Sequence, residues 1–413
     1  MRAAQSVVAP KAVLGAVSTV SILGVLPVFL FAALFVTIRE DVPMEVSQLG
    51  VATSVFYAVA ALCSVPAGVV CERLGPARAL KLSAVTSAAA LFGLSTVTKG
   101  WIGFIPWLVL GGIGDALSKP ASNLGLGSLS KVGNLGFIFG IKQSSIPVTT
   151  MLSGAAVPLL ALTVGWRITL VVLSLTTLLA FGLTAHRSGL PVSPRVRRAA
   201  GAARPRLVVW ELPLVLLMLG AGLGVAAGAT MNAFYVESAV AVGMSPSAAG
   251  TALAMAGLVN IVTRLSAGTF IDRRGRATGF PAVAKIMLTG ATALVLLGLA
   301  PSVPMFIAIS IIAFSAAWGW NGMYHYLLVQ RYSKSPAAAT GVVSLGIFGG
   351  ATVGPVVFGY LAAAGQRAMA WYILAASLVA AAVSLFAAER VLTRRAAAGG
   401  LGPNSTAPGS EDS

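Results

Sequence analysis

Asp115, Lys119 and Asn123 follow one another at four-residue intervals inside a long apolar stretch. On a helix that spacing stacks an acid, a base and an amide on one face. An ionisable side chain at the centre of a membrane span costs about 2.5–3.5 kcal/mol on insertion scales, so it needs a partner or a watery cavity. The next apolar stretch carries Lys142 and Gln143, with Lys142, Ser145, Thr149 and Ser153 forming a second polar stripe. Run antiparallel after a short turn, the two stretches bring one acid and two lysines to a shared site, with Lys119 ~6 Å and Lys142 ~9 Å inward of the midplane. Three kinds of chemistry fit. Asp115 and a lysine can form a structural pair. Asp115 can be a proton-coupling carboxylate that releases a lysine when it titrates. The surplus positive charge can receive an anion. Further along, Asn260 and Arg264 are also four apart, and Trp318, Trp320, Asn321, Tyr324 and His325 cluster in one stretch. Arg264 reads first as structural or gating and second as an anion contact, and Trp320 and Asn321 as cavity or helix-contact residues. Asn232 and Thr230 are further cavity candidates.

The elements that position these residues must be membrane helices. The 413 residues are 57% hydrophobic and only 9% charged, against about 25% charged in soluble domains. Spans of roughly 20 apolar residues read at 12–38, 48–71, 79–98, 101–125, 136–162 and 166–185, then at 211–235, 247–270, 280–300, 303–328, 337–364 and 369–387. The first is too long and too polar at its end for a cleaved signal peptide. Residues 186–210 hold six arginines, three prolines and no acid, and read as a solvated linker between two six-helix halves. This gives an amino-terminal half over 1–185, the linker, a carboxy-terminal half over 211–390 and a disordered tail over 391–413.

The net charge of +17 marks topology. With both termini in the cytoplasm, 21 of the 28 Lys and Arg residues fall inside and Arg39, Lys99, Arg167 and Arg367 outside. That asymmetry is the positive-inside pattern, not a nucleic-acid surface. Lys119, Lys142 and Arg264 remain within spans, with Asp115 the one acid deep in a span. Cys63 and Cys71, eight apart on a helix, stand ~12 Å apart and cannot form a disulfide. No metal-ligand spacing joins them to His186 or His325, and no metal or cofactor is expected.

The second and eighth spans end alike, PAGVVCERLGPAR at 66–78 and SAGTFIDRRGRAT at 266–278, 200 residues apart without a gap. The chain is therefore a duplicated six-helix unit in parallel orientation. The second copy, with Gly268, Asp272, Arg273, Gly275 and Arg276, resembles the signature loop of the major facilitator superfamily, G-x-x-x-D-[RK]-x-G-[RK]-[RK]. The first copy, with Gly68, Glu72, Arg73, Gly75 and Arg78, is a degenerate version. Gly165-Trp166-Arg167 before the sixth span resembles an outer-loop element of the same family. The resemblance implies an all-α integral membrane fold of twelve helices in two pseudo-symmetric halves, with the signature loops latching the halves. A glycine at the position of Gly275 permits a turn with φ > 0, and one at Gly268 permits close helix approach.

The resemblance further implies a secondary active transporter of a small organic solute, working by alternating access. Proton coupling and an anionic metabolite are favoured. A drug or other efflux antiporter is the alternative, although the fifth span has Pro147 and Gly154 without a Gly-Pro pair, and Leu108 stands where the proton-antiporter pattern has an arginine. A non-transporting sensor is the cross-class alternative, but the linker is too short for an output domain. No Walker, HExxH or GxSxG motif is present, and the chain is not expected to be an enzyme. The expected partners are a small-molecule substrate, protons and the lipid bilayer. A monomer is expected, in the plasma (inner) membrane.

Overall fold

The structure is a computed structural model that describes residues 10–127, 141–190, 211–274, 279–300, 302–333 and 335–398. Twelve helices are long and apolar enough to cross a membrane. They are α1 Pro10–Ala33, α2 Val46–Leu74, α3 Pro76–Ser95, α4 Trp101–Leu126, α5 Ile141–Val164 and α6 Trp166–Arg187. The second set comprises α7 Leu212–Ala241, α8 Pro246–Ser266, α9 Phe280–Leu299, α10 Val303–Arg331, α11 Ala338–Ala363 and α12 Arg367–Arg395. No strand occurs among the described residues. A helix satisfies its own backbone, so apolar stretches of this length need no other partner in lipid.

The ends of the helices follow local chemistry. Gly75 at φ 77° closes α2, and Pro76 opens α3 at its first position. Gly165 at φ 85° likewise separates α5 from α6. Two helices are irregular. α5 has a break at Ser144 and a π-type stretch at Val157–Ala161, around Pro158. α10 is broken at Trp318–Trp320, between helical segments Val303–Ala317 and Asn321–Arg331.

The chain departs from the expected spans at two places. α7 continues to Ala241, so Glu237 lies in a helix and is 4% exposed. It is a second buried acid beside Asp115. The final helix runs to Ala398, so residues 391–398 are helical where a tail was expected. Most of the linker and residues 399–413 lie outside the described residues.

Packing repeats between the halves. α1 packs on α4, α5 and α6, and α7 packs on α11 and α12. The two halves meet along α2–α11 and α5–α8, which are equivalent pairs under the 200-residue repeat. Small residues make both interfaces. A Cβ on Gly50 of α2 would overlap the Pro355 carbonyl, and one on Gly154 of α5 would overlap the Gly250 carbonyl of α8. All four positions lie in the half of the bundle away from the termini. The ridge Gly346, Gly350 and Gly354 on α11 packs against the α7 backbone at Met218, Gly222 and Ala226.

Candidate functional site

The predicted acid–base stripe on α4 is present and faces the centre of the bundle. Lys119 Nζ donates to Asp115 Oδ2 at 2.7 Å. The Ser118 hydroxyl contacts the other carboxylate oxygen at 3.4 Å. Asp115 is nearly enclosed, at 1% exposure, whereas the Lys119 side chain is 47% exposed. The enclosure comes from α1, whose Gly24 leaves room for Asp115 and Ser118. The ammonium of Lys119 also sits 4.1 Å from the ring centre of Phe348 on α11. One cation therefore touches a carboxylate of its own half and an aromatic face of the other.

Lys142 does not join Asp115. Its ammonium donates to Asn123 Oδ1, eight residues and ~12 Å along α4 from the acid. The reason is register. α5 extends to Val164, 22 residues beyond Lys142, which places the lysine ~33 Å from that end of the helix. The site is thus two successive pairs on one face of α4, not one acid shared by two lysines.

Arg264 of α8 completes the arrangement from the second half. It is 6% exposed and forms none of the ion pairs found among the described residues. Its guanidinium instead donates to two backbone carbonyls, Trp318 at 2.9 Å and Gln143 at 2.7 Å. Both acceptors have a physical origin. The Trp318 carbonyl lies at the break in α10. The Gln143 carbonyl lies four residues before Pro147, which has no N–H to return to it. Asn260, one turn before Arg264, donates to the Phe314 carbonyl of α10. Arg264 and Asn260 thus supply the hydrogen bonds that the irregular helices would otherwise leave unmade in a membrane.

Gln143 enters the site through its backbone. The sequence signal for this was Pro147 at the fourth following position. Thr149 is fully buried and its hydroxyl returns to the Ser145 carbonyl. Asn232 is brought across the halves, where the Thr150 hydroxyl contacts its Oδ1 at 3.1 Å. Trp320 is fully buried against Gly224, and its indole N–H donates to the Ala317 carbonyl. That is a helix-packing position, not a cavity wall. Asn321 is buried too, and its carbonyl lies 2.9 Å from His325 Nδ1, so that nitrogen carries the proton. Phe348 and Glu237 were not singled out in the sequence. Phe348 carries no polar signal, and Glu237 fell beyond the expected end of its span.

Of the signature loops, the first is visible. Gly75 has the positive φ expected of a tight turn, while a Cβ on Gly68 would meet nothing within 4 Å. Glu72, Arg73 and Arg78 are exposed. Gly268, Asp272 and Arg273 belong to the helical segment Pro246–Arg274. Their side chains, together with Gly275 and Arg276, lie outside the described residues.

The sequence pattern of the Major Facilitator Superfamily matches residues 17–338. No curated protein matches the chain in sequence. Several solved structures share its fold. A bacterial homologue of the human lysosomal transporter Spinster, inward-facing and unoccupied, has a TM-score of 0.70 at 17% identity, covering 95% of this chain and 99% of that one. A D-xylose–proton symporter has a TM-score of 0.75 at 16% identity, covering 91% and 97%. The nucleoside transporter NupG has a TM-score of 0.69 at 14% identity, covering 92% and 99%. At these identities the likeness is one of fold.

Proposed function

The chain belongs to the major facilitator superfamily, and from that premise we propose that it moves a small organic anion across the membrane, coupled to protons, by alternating access. One observation carries this reading. Lys119 and Lys142 lie along one face of α4, paired with Asp115 and Asn123, Arg264 bonds the residue after Lys142, and Asp115 is the one carboxylate that pairs with any of the three among the described residues. A cation excess in a low-dielectric site favours an anionic guest. Asp115 is the coupling carboxylate. Proton binding there removes the partner of Lys119, and the freed ammonium turns to the anion. Lys142 and Asn123 hold the same guest nearer the termini. The known proton coupling of the xylose symporter supports only that this fold can carry such chemistry.

The contact pattern supports the topology. The tight glycine crossings of the halves, Gly50 on Pro355 and Gly154 on Gly250, lie away from the termini, and the Gln143–Arg264 bond joins the halves nearer the terminal face. We assign that face to the cytoplasm from the excess of Lys and Arg. The chain is then a monomeric plasma-membrane protein, with the loops at 68–78 and 268–276 latching the halves in the state closed on that face.

Uptake in proteoliposomes with an imposed pH gradient tests the reading. Purified protein is first screened by thermal shift against mono-, di- and tricarboxylates, phosphate esters and neutral solutes. The expected result is stabilisation by an anion, gradient-driven uptake of it, and loss of the pH dependence in Asp115→Asn with folding retained. Stabilisation by neutral solutes alone overturns the anion assignment. Unchanged pH dependence in Asp115→Asn removes that residue from coupling.

A further inference from the structure

We infer that Arg264 is the bond through which an anionic substrate controls contact between the two halves: the guanidinium holds α5 to α8 by the Gln143 carbonyl, and substrate competes with that carbonyl for it. The inference rests on the reading of the substrate as an anion.

The geometry singles out this contact. Arg264 belongs to the second half, and Gln143 to the first, so the 2.7 Å hydrogen bond spans the interface that must part as the halves rock. The acceptor exists because Pro147 cannot close the helical turn onto Gln143. The same proline lies at the helix crossing, where its carbonyl approaches Gly257 of α8. A charge this deeply buried needs strong acceptors. Here it has two neutral carbonyls, and its Nε is buried without a partner. A carboxylate or phosphate oxygen is a stronger acceptor for guanidinium than an amide carbonyl.

The anion has a path to it. Gln143 directly follows Lys142, whose ammonium marks the polar face beside Asn123. Arg264 bonds the carbonyl of the residue next to Lys142, which places the two cations in one neighbourhood. An anion resting on Lys142 is then one residue from the Gln143–Arg264 bond. A ligand shifts a conformational equilibrium only by binding its states unequally. An anion that engages Arg264 only after the carbonyl has left favours the state in which α5 and α8 are released. The other bond, to the Trp318 carbonyl, keeps the guanidinium in place during the exchange because it lies wholly within the second half.

The experiment reads the interface directly. In full-length protein with Cys63→Ser and Cys71→Ser, Val157→Cys places a thiol where α5 packs on Gly250 of α8. Vesicles are labelled with a membrane-impermeant maleimide from the face opposite the termini. Pro147→Ala restores an N–H to the Gln143 carbonyl, and Arg264→Gln removes the donor. Each should lower the labelling rate about two- to tenfold, because losing a bond near the terminal face favours the state closed on the opposite face, and one hydrogen bond of ordinary net strength shifts the equilibrium by that factor. The double variant should label no more slowly than the slower single variant, since both break one bond. Labelling unchanged or faster in both single variants, or slowed multiplicatively in the double, overturns the inference.

Melting temperature with succinate, citrate and inorganic phosphate tests the anion's part separately. An anion that stabilises the parent but not Arg264→Gln supports the exchange, and one that stabilises both equally overturns it. No stabilisation by any anion defeats the anion reading itself, while the labelling result still decides the bond.

Discussion

Glu237 Oε1 accepts a hydrogen bond from Arg367 at 2.6 Å and ties the end of α7 to the start of α12. Asp41 and Arg167 repeat the relationship in the first half, also at 2.6 Å, between the short helix Phe35–Asp41 that follows α1 and the start of α6. Arg167 and Arg367 are 200 residues apart, the period of the internal repeat. The acids are four residues out of that period, one helical turn, and both still reach their arginine. The duplicated unit thus keeps a clasp between its first and last helices.

The two clasps should differ in strength. Glu237 is 4% exposed and Arg367 29%, whereas Asp41 and Arg167 are 50% and 37% exposed. Glu237→Gln weakens a charge-assisted bond in a largely enclosed site and should cost about 1.5–3 kcal/mol. Asp41→Asn breaks a solvent-screened pair and should cost less. Thermal unfolding of the two variants in detergent checks the order.

Asp41 also predicts a pH response. The indole N–H of Trp166 and the Arg167 guanidinium both donate to its carboxylate and hold its pKa below the ordinary value. The clasp therefore contributes fully above the ordinary carboxylate pKa and is lost as pH falls through the lowered one. Melting temperatures of parent and Asp41→Asn should differ at neutral pH and converge in acid. A constant gap across pH would show that Asp41 acts through shape alone.

Within the central pair, the two partners should respond unequally to removal. Lys119 is half exposed and retains access to water without Asp115, so Asp115→Asn should cost less than about 1 kcal/mol. Lys119→Gln leaves a carboxylate at 1% exposure with little beyond Ser118, and should cost about 1–3 kcal/mol. Denaturation of both variants at neutral pH tests this, and equal losses would mean that Asp115 has another partner.

Glycines divide by what surrounds them. An added methyl at Gly154 meets the α8 backbone at Ala254 and Gly250, and Gly154→Ala should destabilise by about 1–3 kcal/mol through overpacking. Gly68→Ala meets open space and should stabilise its helix by about 0.5–1 kcal/mol. Should Gly68 approach another helix in the opposite transport state, Gly68→Ala will lower uptake while raising the melting temperature.

The order of the helices, their helical nature and their duplication were legible in the sequence. Apolar stretches long enough to span lipid must be helices, because only a helix closes its own hydrogen bonds there. The four-residue spacing of Asp115 and Lys119 was equally legible, since it is a property of one helix. Relations between helices were not. Nearly uniform apolar helices encode little about which face turns inward or how deep each is set. Packing alone moved Lys142 to Asn123, carried Glu237 into the protein, buried Trp320 and aimed Arg264 at a carbonyl of the opposite half. That carbonyl was announced by Pro147, four residues on, as an acceptor without a donor. Only the tertiary structure decided which donor would come, because the choice depends on the crossing of α5 and α8, where glycines let two backbones meet.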